Sequence, residues 1–227
     1  MHKPSTLGLT FFLIVFALVQ LGCRCSGPGD GAAKPNAPEP VALLESMEQW
    51  EPIIFGGEGE VRFIQGVLVL DMGGPLTGVK YTGDMTELLG EDLQPYEITL
   101  QAKRVEGLDF FCCLTFPVGT EGHVSLVLGG WAGSTVGISS LDGYDAASNK
   151  TSQIMRFEQD QWYDIKVRVT AEKIDCFLDG EQIIDVNRAE YQEFSLRNEV
   201  MDTAPLGLCT FQTRGDIRGL KIRRLEQ

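Results

Sequence analysis

Between Gln161 and Leu225 the chain alternates apolar and polar residues so regularly that little besides an antiparallel sheet can accommodate it. Tyr163, Ile165, Val167 and Val169 alternate with Asp164, Lys166 and Arg168, the period-two signature of a strand with one buried face. Ile174 to Leu178 follows, then Asp179-Gly180, then Glu181 to Val186. Asp-Gly between two alternating runs is a strong hairpin signal, because both central residues of that turn need positive φ. Pro205 to Thr213 and Ile217 to Leu225 close the chain as two further strands.

The rest of the chain after Trp50 is read the same way. Short strands are expected at Glu60 to Phe63, Val67 to Asp71, Gly78 to Tyr81, Tyr96 to Lys103, His123 to Leu128, Thr135 to Ser139 and Gln153 to Glu158. Asp109 to Phe116 is nearly all apolar, as in a strand covered on both faces. Val41 to Met47 is expected to make one or two helical turns, and Met85 to Leu93 a loop or helical turn. About a dozen short strands with turns rich in Gly, Asp and Pro imply an all-β fold, a two-sheet antiparallel jelly-roll sandwich. The Cys…Trp…Cys arrangement of an immunoglobulin-like sandwich is missing.

The N-terminus reads as an address rather than as fold. Lys3, an apolar run from Leu7 to Leu21 broken only by Gly8, Thr10 and Gln20, and Leu21-Gly22-Cys23 have the order of an export signal over residues 1–22. The run is shorter than the ~20 residues that a membrane crossing needs. Gly22 before Cys23 suits lipoprotein processing, so Cys23 is the expected lipidation site, with plain secretion and an uncleaved anchor as alternatives. Residues 23–40 form a linker rich in Pro, Gly and Ala that cannot bury a face, and 41–227 form one domain. The expected location is the cell envelope, as a membrane-anchored lipoprotein facing the periplasm or exterior.

The formal net charge of −13 argues against nucleic acid as a partner and against anionic lipid head groups, leaving a lipid anchor as the expected membrane contact. Arg218, Lys221, Arg223 and Arg224 are the local exception; they alternate with apolar residues and read as a solvated strand face. Cys112, Cys113, Cys176 and Cys209 have no zinc-site spacing and are either disulfides, which export permits, or buried thiols.

Trp162 to Val167, Leu178-Asp179-Gly180-Glu181 and the closing Gly207 to Leu225 resemble the concanavalin A-like jelly-roll domains grouped with the 3-keto-disaccharide hydrolase family. Tyr96-Glu97-Ile98 and the block from Gly129-Gly130-Trp131 through Asp142-Gly143-Tyr144-Asp145 add to the resemblance, which spans about Trp50 to Leu225. The resemblance implies a lectin- or glucanase-type sandwich whose concave sheet holds carbohydrate. In members that are enzymes it implies lyase, hydratase or hydrolase chemistry on 3-keto-glycosides. Laminin-G-like and lectin domains share the same strand rhythm, so the pattern speaks to fold more than to activity.

The candidate site residues follow from this chemistry. A 3-keto group makes the C2 proton acidic, so one base can remove it while a donor or metal stabilises the enolate. His123 is the one histidine left once the signal is removed, and it is the candidate base, with Asp142 or Asp145 assisting. Asp142, Tyr144, Asp145 and Asn149 crowd one loop, Ser140 to Thr151, just after Trp131. One reading makes them a rim that hydrogen-bonds sugar hydroxyls while Trp131 or Tyr144 stacks on a pyranose face. The other makes them turn residues, with Trp131 in the core. The cofactor stays open: Asp142, Asp145 and Asn149 supply oxygen ligands for Ca2+ or another divalent metal but lack the spacing of a calcium loop, so no metal site is assigned. Glu158-Gln159-Asp160 lacks the final Glu of a laminarinase-like Glu-x-Asp-x-x-Glu, which disfavours ordinary retaining glycosidase chemistry. Three functions remain: a glycan-binding envelope protein, a 3-keto-glycoside lyase or hydrolase, and a structural or protein-interaction module.

Overall fold

The computed structural model describes residues 38–226. The export signal, Cys23 and nearly all of the linker lie outside the described residues. The strands, in chain order, begin with β1 (Val41–Ala42), β2 (Trp50–Pro52), β3 (Val61–Ile64), β4 (Val67–Leu70) and β5 (Leu76–Tyr81). Helix α1 (Met85–Leu89) leads to β6 (Tyr96–Gly107), β7 (Cys112–Pro117), β8 (His123–Gly129), β9 (Thr135–Ser139) and β10 (Gln153–Ile154). The closing strands are β11 (Tyr163–Val169), β12 (Lys173–Leu178), β13 (Glu181–Asn187), β14 (Gly207–Phe211) and β15 (Thr213–Arg224).

They form two antiparallel sheets. The order β13-β12-β11-β6-β15-β4-β3, with β1 added beside β15, makes an eight-stranded sheet. The order β10-β9-β8-β7-β14-β5-β2 makes a seven-stranded one. Alternation decides which residues lie between them. Ile98, Leu100, Ile165, Val167, Ile217 and Ile222 face inward from the first sheet and meet Leu114, Leu126, Leu128 and Ile138 from the second. Each such fully buried side chain contributes about 1.5–3 kcal/mol, so this layer is the main source of stability. The hairpin read from Asp179-Gly180 joins β12 to β13, with φ of 48° and 84° as a type I′ turn requires. The apolar run after Asp109 is buried along the whole of β7, on both faces.

Two expectations fail. Val41 to Met47 makes no helical turn: Val41–Ala42 pairs with Lys221–Ile222, and the Leu43 amide bonds Leu220. A sheet edge that needed partners, together with the adjacent buried Leu43 and Leu44, outweighs the helical propensity of this segment. The strand expected at Gln153 to Glu158 stops at Ile154, because Phe157 turns inward to pack edge-on against Phe111 and Tyr163. The four described cysteines are free, buried thiols, which decides the alternative that sequence left open.

Candidate functional site

On the seven-stranded sheet the residues that do not face the core face outward: Cys113 on β7, Ser125 and Val127 on β8, Ser139 on β9, Cys209 and Phe211 on β14. A one-residue alternation therefore gives this sheet a second apolar surface, where Leu76, Cys113, Val127 and Cys209 pack together. The chain between β13 and β14 crosses over part of it. Its 3-10 turn, Asn198–Thr203, lays Val200 on that cluster. The Thr203 hydroxyl donates to the Val200 carbonyl at 2.6 Å, so it can only accept from Thr115 at 2.6 Å. Thr115 in turn accepts from Ser125 at 2.8 Å. Ser125 has thus spent its proton and offers only acceptor lone pairs outward.

What the crossing segment leaves uncovered is a cleft of about 240 Å³. Its floor is apolar, with Phe110, Cys113, Val127 and Phe211, and Trp131 stands at one end. Polar groups sit at the two ends: Asp109 beside Trp131, and Arg197 with Glu199 opposite.

Trp131 is held there by an unusual backbone. After Gly129 (φ 78°) the chain passes through Trp131 (φ 49°), Ala132 (φ 67°) and Gly133 (φ 96°), all left-handed. Left-handed conformation costs an L-residue roughly 1–2 kcal/mol. The turn is held from both sides. Asp109 accepts from the amides of Phe110 (2.8 Å) and Ala132 (3.1 Å). The Arg104 guanidinium, itself only 5% exposed, donates to the Gly133 carbonyl at 2.9 Å and lies against the rings of Phe111 and Phe157. The indole stays 40% exposed. At the far end Arg197 bridges Asp145 (3.2 Å) and Glu199 (3.0 Å), and its hydrogen bonds hold the Glu199 carboxyl below its ordinary pKa.

The remaining sequence candidates are placed as follows. Asp142 is a loop clasp: one carboxylate oxygen accepts from the amides of Gln192 (2.7 Å) and Glu193 (2.9 Å). Asp145 accepts from the Ala147 amide and the Ser148 hydroxyl, and reaches the cleft through Arg197. Asn149 donates to the carbonyls of Ile138, Tyr144 and Asp145 and accepts from Thr151, so its amide is spent inside the loop. The Tyr144 ring is 61% exposed on the turn that follows Leu141. His123 points to the same side of β8 as Ser125 but lies beyond the cleft, half-buried, with no hydrogen bond or ion pair among the described residues; burial lowers its pKa. Of these candidates Trp131 lines the cleft and Asp145 touches it only through Arg197, while His123, Asp142, Tyr144 and Asn149 do not line it. Among the described residues no group of three or more His, Cys, Asp or Glu side chains is arranged to hold a metal ion.

Asp109, Phe110, Phe211, Arg197 and Glu199 escape the sequence reading. Asp109 opens an apolar run and looks like its first strand residue. Arg197 and Glu199 sit in an irregular segment with no periodicity to mark it.

No family model matches the chain, and no curated protein matches it. Solved structures do. The exoplasmic/lumenal domain of VIP36 in its Ca2+/Man3GlcNAc-bound form aligns with a TM-score of 0.54 and 11% identity, covering 82% of this chain and 89% of that one. The shared fold is a two-sheet antiparallel jelly-roll sandwich. The carbohydrate-binding module CBM66 from Bacillus subtilis aligns at 0.51 and 8% identity, covering 77% and 95% of the two chains. Domain 4 of AbnA, an extracellular arabinanase from Geobacillus stearothermophilus in complex with arabinotriose, aligns at 0.51 and 13%, covering 83% and 94%.

Proposed function

We propose that this protein binds glycan in the cleft on the outer face of the seven-stranded sheet, with Trp131 as the platform on which a sugar ring stacks. One observation carries the reading: a half-exposed indole held at the mouth of a cleft by a left-handed turn that Asp109 and Arg104 stabilise. Backbone in costly conformations persists where the surroundings over-determine it, and such places cluster at binding sites. Glu199 and the outward lone pairs of Ser125 supply hydrogen-bond acceptors for hydroxyls. The structural neighbours lend support, since they include a carbohydrate-binding module, an arabinotriose complex and a Man3GlcNAc-bound domain.

Binding is favoured over 3-keto-glycoside lyase or hydrolase chemistry because proton abstraction at C2 needs a base within reach of the bound sugar. The candidate base, His123, stands outside the cleft, and the carboxylates that line it are engaged with backbone amides or Arg197. The layout of residues 1–23 supports export and lipidation at Cys23, so the glycan belongs to the envelope or to what lies outside it.

The test is a glycan-array screen of the purified chain, followed by titration of intrinsic tryptophan fluorescence with any hit. A hit that quenches fluorescence, and is lost in Trp131→Ala, supports the reading. Glycan binding that survives Trp131→Ala sinks the cleft assignment, and an empty array sinks the function.

A further inference from the structure

The outer face of the eight-stranded sheet carries a charge pattern that the net value of −13 conceals. Inward-facing Ile98, Leu100, Ile165, Val167, Leu220 and Ile222 leave the residues between them pointing out. In register across β11, β6 and β15, Lys166, Thr99 and Lys221 form one row, and Arg168, Glu97 and Arg223 the next. The row on the other side holds Asp164, Gln101 and Arg218. Cations therefore flank the central strand on both sides, about 10 Å apart, with successive rows about 7 Å apart along it.

Across the three rows five cations face two carboxylates, Glu97 and Asp164, so the patch is positive by three. Arg168 and Arg223 share Glu97, at 3.0 Å each, while Lys103, just beyond, meets both Asp160 and Asp216. Asp164 and Asp175 accept from Gln101 and Gln182. Among the described residues Lys166, Arg218 and Lys221 have no carboxylate within ion-pair distance; Lys166 lies 4.2 Å from the Phe177 ring and Arg218 4.0 Å from Trp162. Exposed Ile64 extends the same face beside Val67, which pairs with Arg218.

We infer that this face docks on an anionic lipid surface. A sheet face with spread cations, a half-buried tryptophan between Lys103 and Arg218 and an exposed Ile64 at its edge spreads its donors over an area that suits an extended anionic surface rather than one small anion. The carboxylates on the opposite face do not cancel it, because charges more than a Debye length away, about 8 Å at physiological salt, are largely screened. The chain also enters the domain on this sheet, where Ala42 pairs directly with Lys221. The net charge alone led to the opposite expectation.

The experiment measures co-sedimentation of the full chain with phosphatidylcholine vesicles prepared with and without phosphatidylglycerol. Any N-terminal anchor contributes equally to both, so the difference reports the face. Binding is expected to be stronger with phosphatidylglycerol, to weaken with added salt, and to fall by at least about 25-fold in its increment in Lys166→Glu/Lys221→Glu, from the loss of two cations alone. The charge-matched variant Lys80→Glu/Lys150→Glu, away from this face, is expected to keep the increment, and both variants are checked by thermal melting. Equal binding to the two vesicle types overturns the inference, as does an equal loss in the control variant. Binding of polygalacturonate without any phosphatidylglycerol increment also overturns it, and makes the face a reader of acidic glycan.

Discussion

Asn149 and Trp131 carry opposite signatures although both were drawn from the same stretch of sequence. Asn149 ties three carbonyls and Thr151 into one loop, so Asn149→Ala leaves several partly buried groups without partners. That is expected to cost about 2–3 kcal/mol and to lower Tm by about 4–12 °C, read by calorimetry. Trp131→Ala removes an exposed ring and leaves the left-handed backbone as it was, so its Tm should hold while glycan affinity falls about two- to tenfold, from the ~0.5–1.5 kcal/mol that ring contacts add beyond area burial. His123 gives a pH signature. Burial lowers its folded pKa below the unfolded value of 6.5, so the unfolded chain takes up the proton first as pH falls. Stability is therefore unaffected above about pH 6.5 and declines below it until the folded form also protonates. His123→Gln should flatten that part of the Tm-against-pH curve. A decline of the same size in the variant would assign the effect to carboxylates elsewhere.

At the scale of elements, the turn from Gly129 to Gly133 is held by side chains distant in sequence. Asp109→Ala takes the acceptor from two amides, and the expected result is a Trp131-like loss of binding together with about 1–3 kcal/mol of destabilisation. Titration and melting of the same sample separate it from Trp131→Ala, which shows only the first. The sequence was most legible where an element buries one face. β11, β12 and the Asp179-Gly180 turn stand where alternation put them. It was least legible where partners decide. β1 is a strand because β15 offers it an edge, and residues 191–206 have no period of their own because they follow the sheet surface that they cover. Sequence left Trp131 open between platform and core, and the fold leaves its ring 40% exposed; the carboxylate that positions it had no local signal, since Asp109 looks like any residue that begins a strand.

For the whole molecule, the sandwich buries all four described thiols. Burial pushes the pKa values of Cys112 and Cys176 upward, and Cys209 is raised by its hydrogen bond to Cys113 across the β7–β14 pair and then by burial. Since thiolate is the reactive form, Cys112, Cys176 and Cys209 should resist iodoacetamide in the native protein and react on unfolding, as read by mass spectrometry. Rapid native labelling would mean that the sheets open. The molecule also has two unlike outer faces, an apolar cleft ending in Trp131 and a cationic field around Thr99, on opposite sides of one core.

The sequence alone determined the fold class, the strand order in the chain and the inward face of most strands, because alternation and turn chemistry act between neighbours. Only the tertiary structure decided the cleft and the cationic field. Asp109 meets Ala132, Arg197 meets Asp145, and Lys166 stands across Thr99 from Lys221 through sheet pairing and loop crossing, and no local pattern records which distant residues those will join.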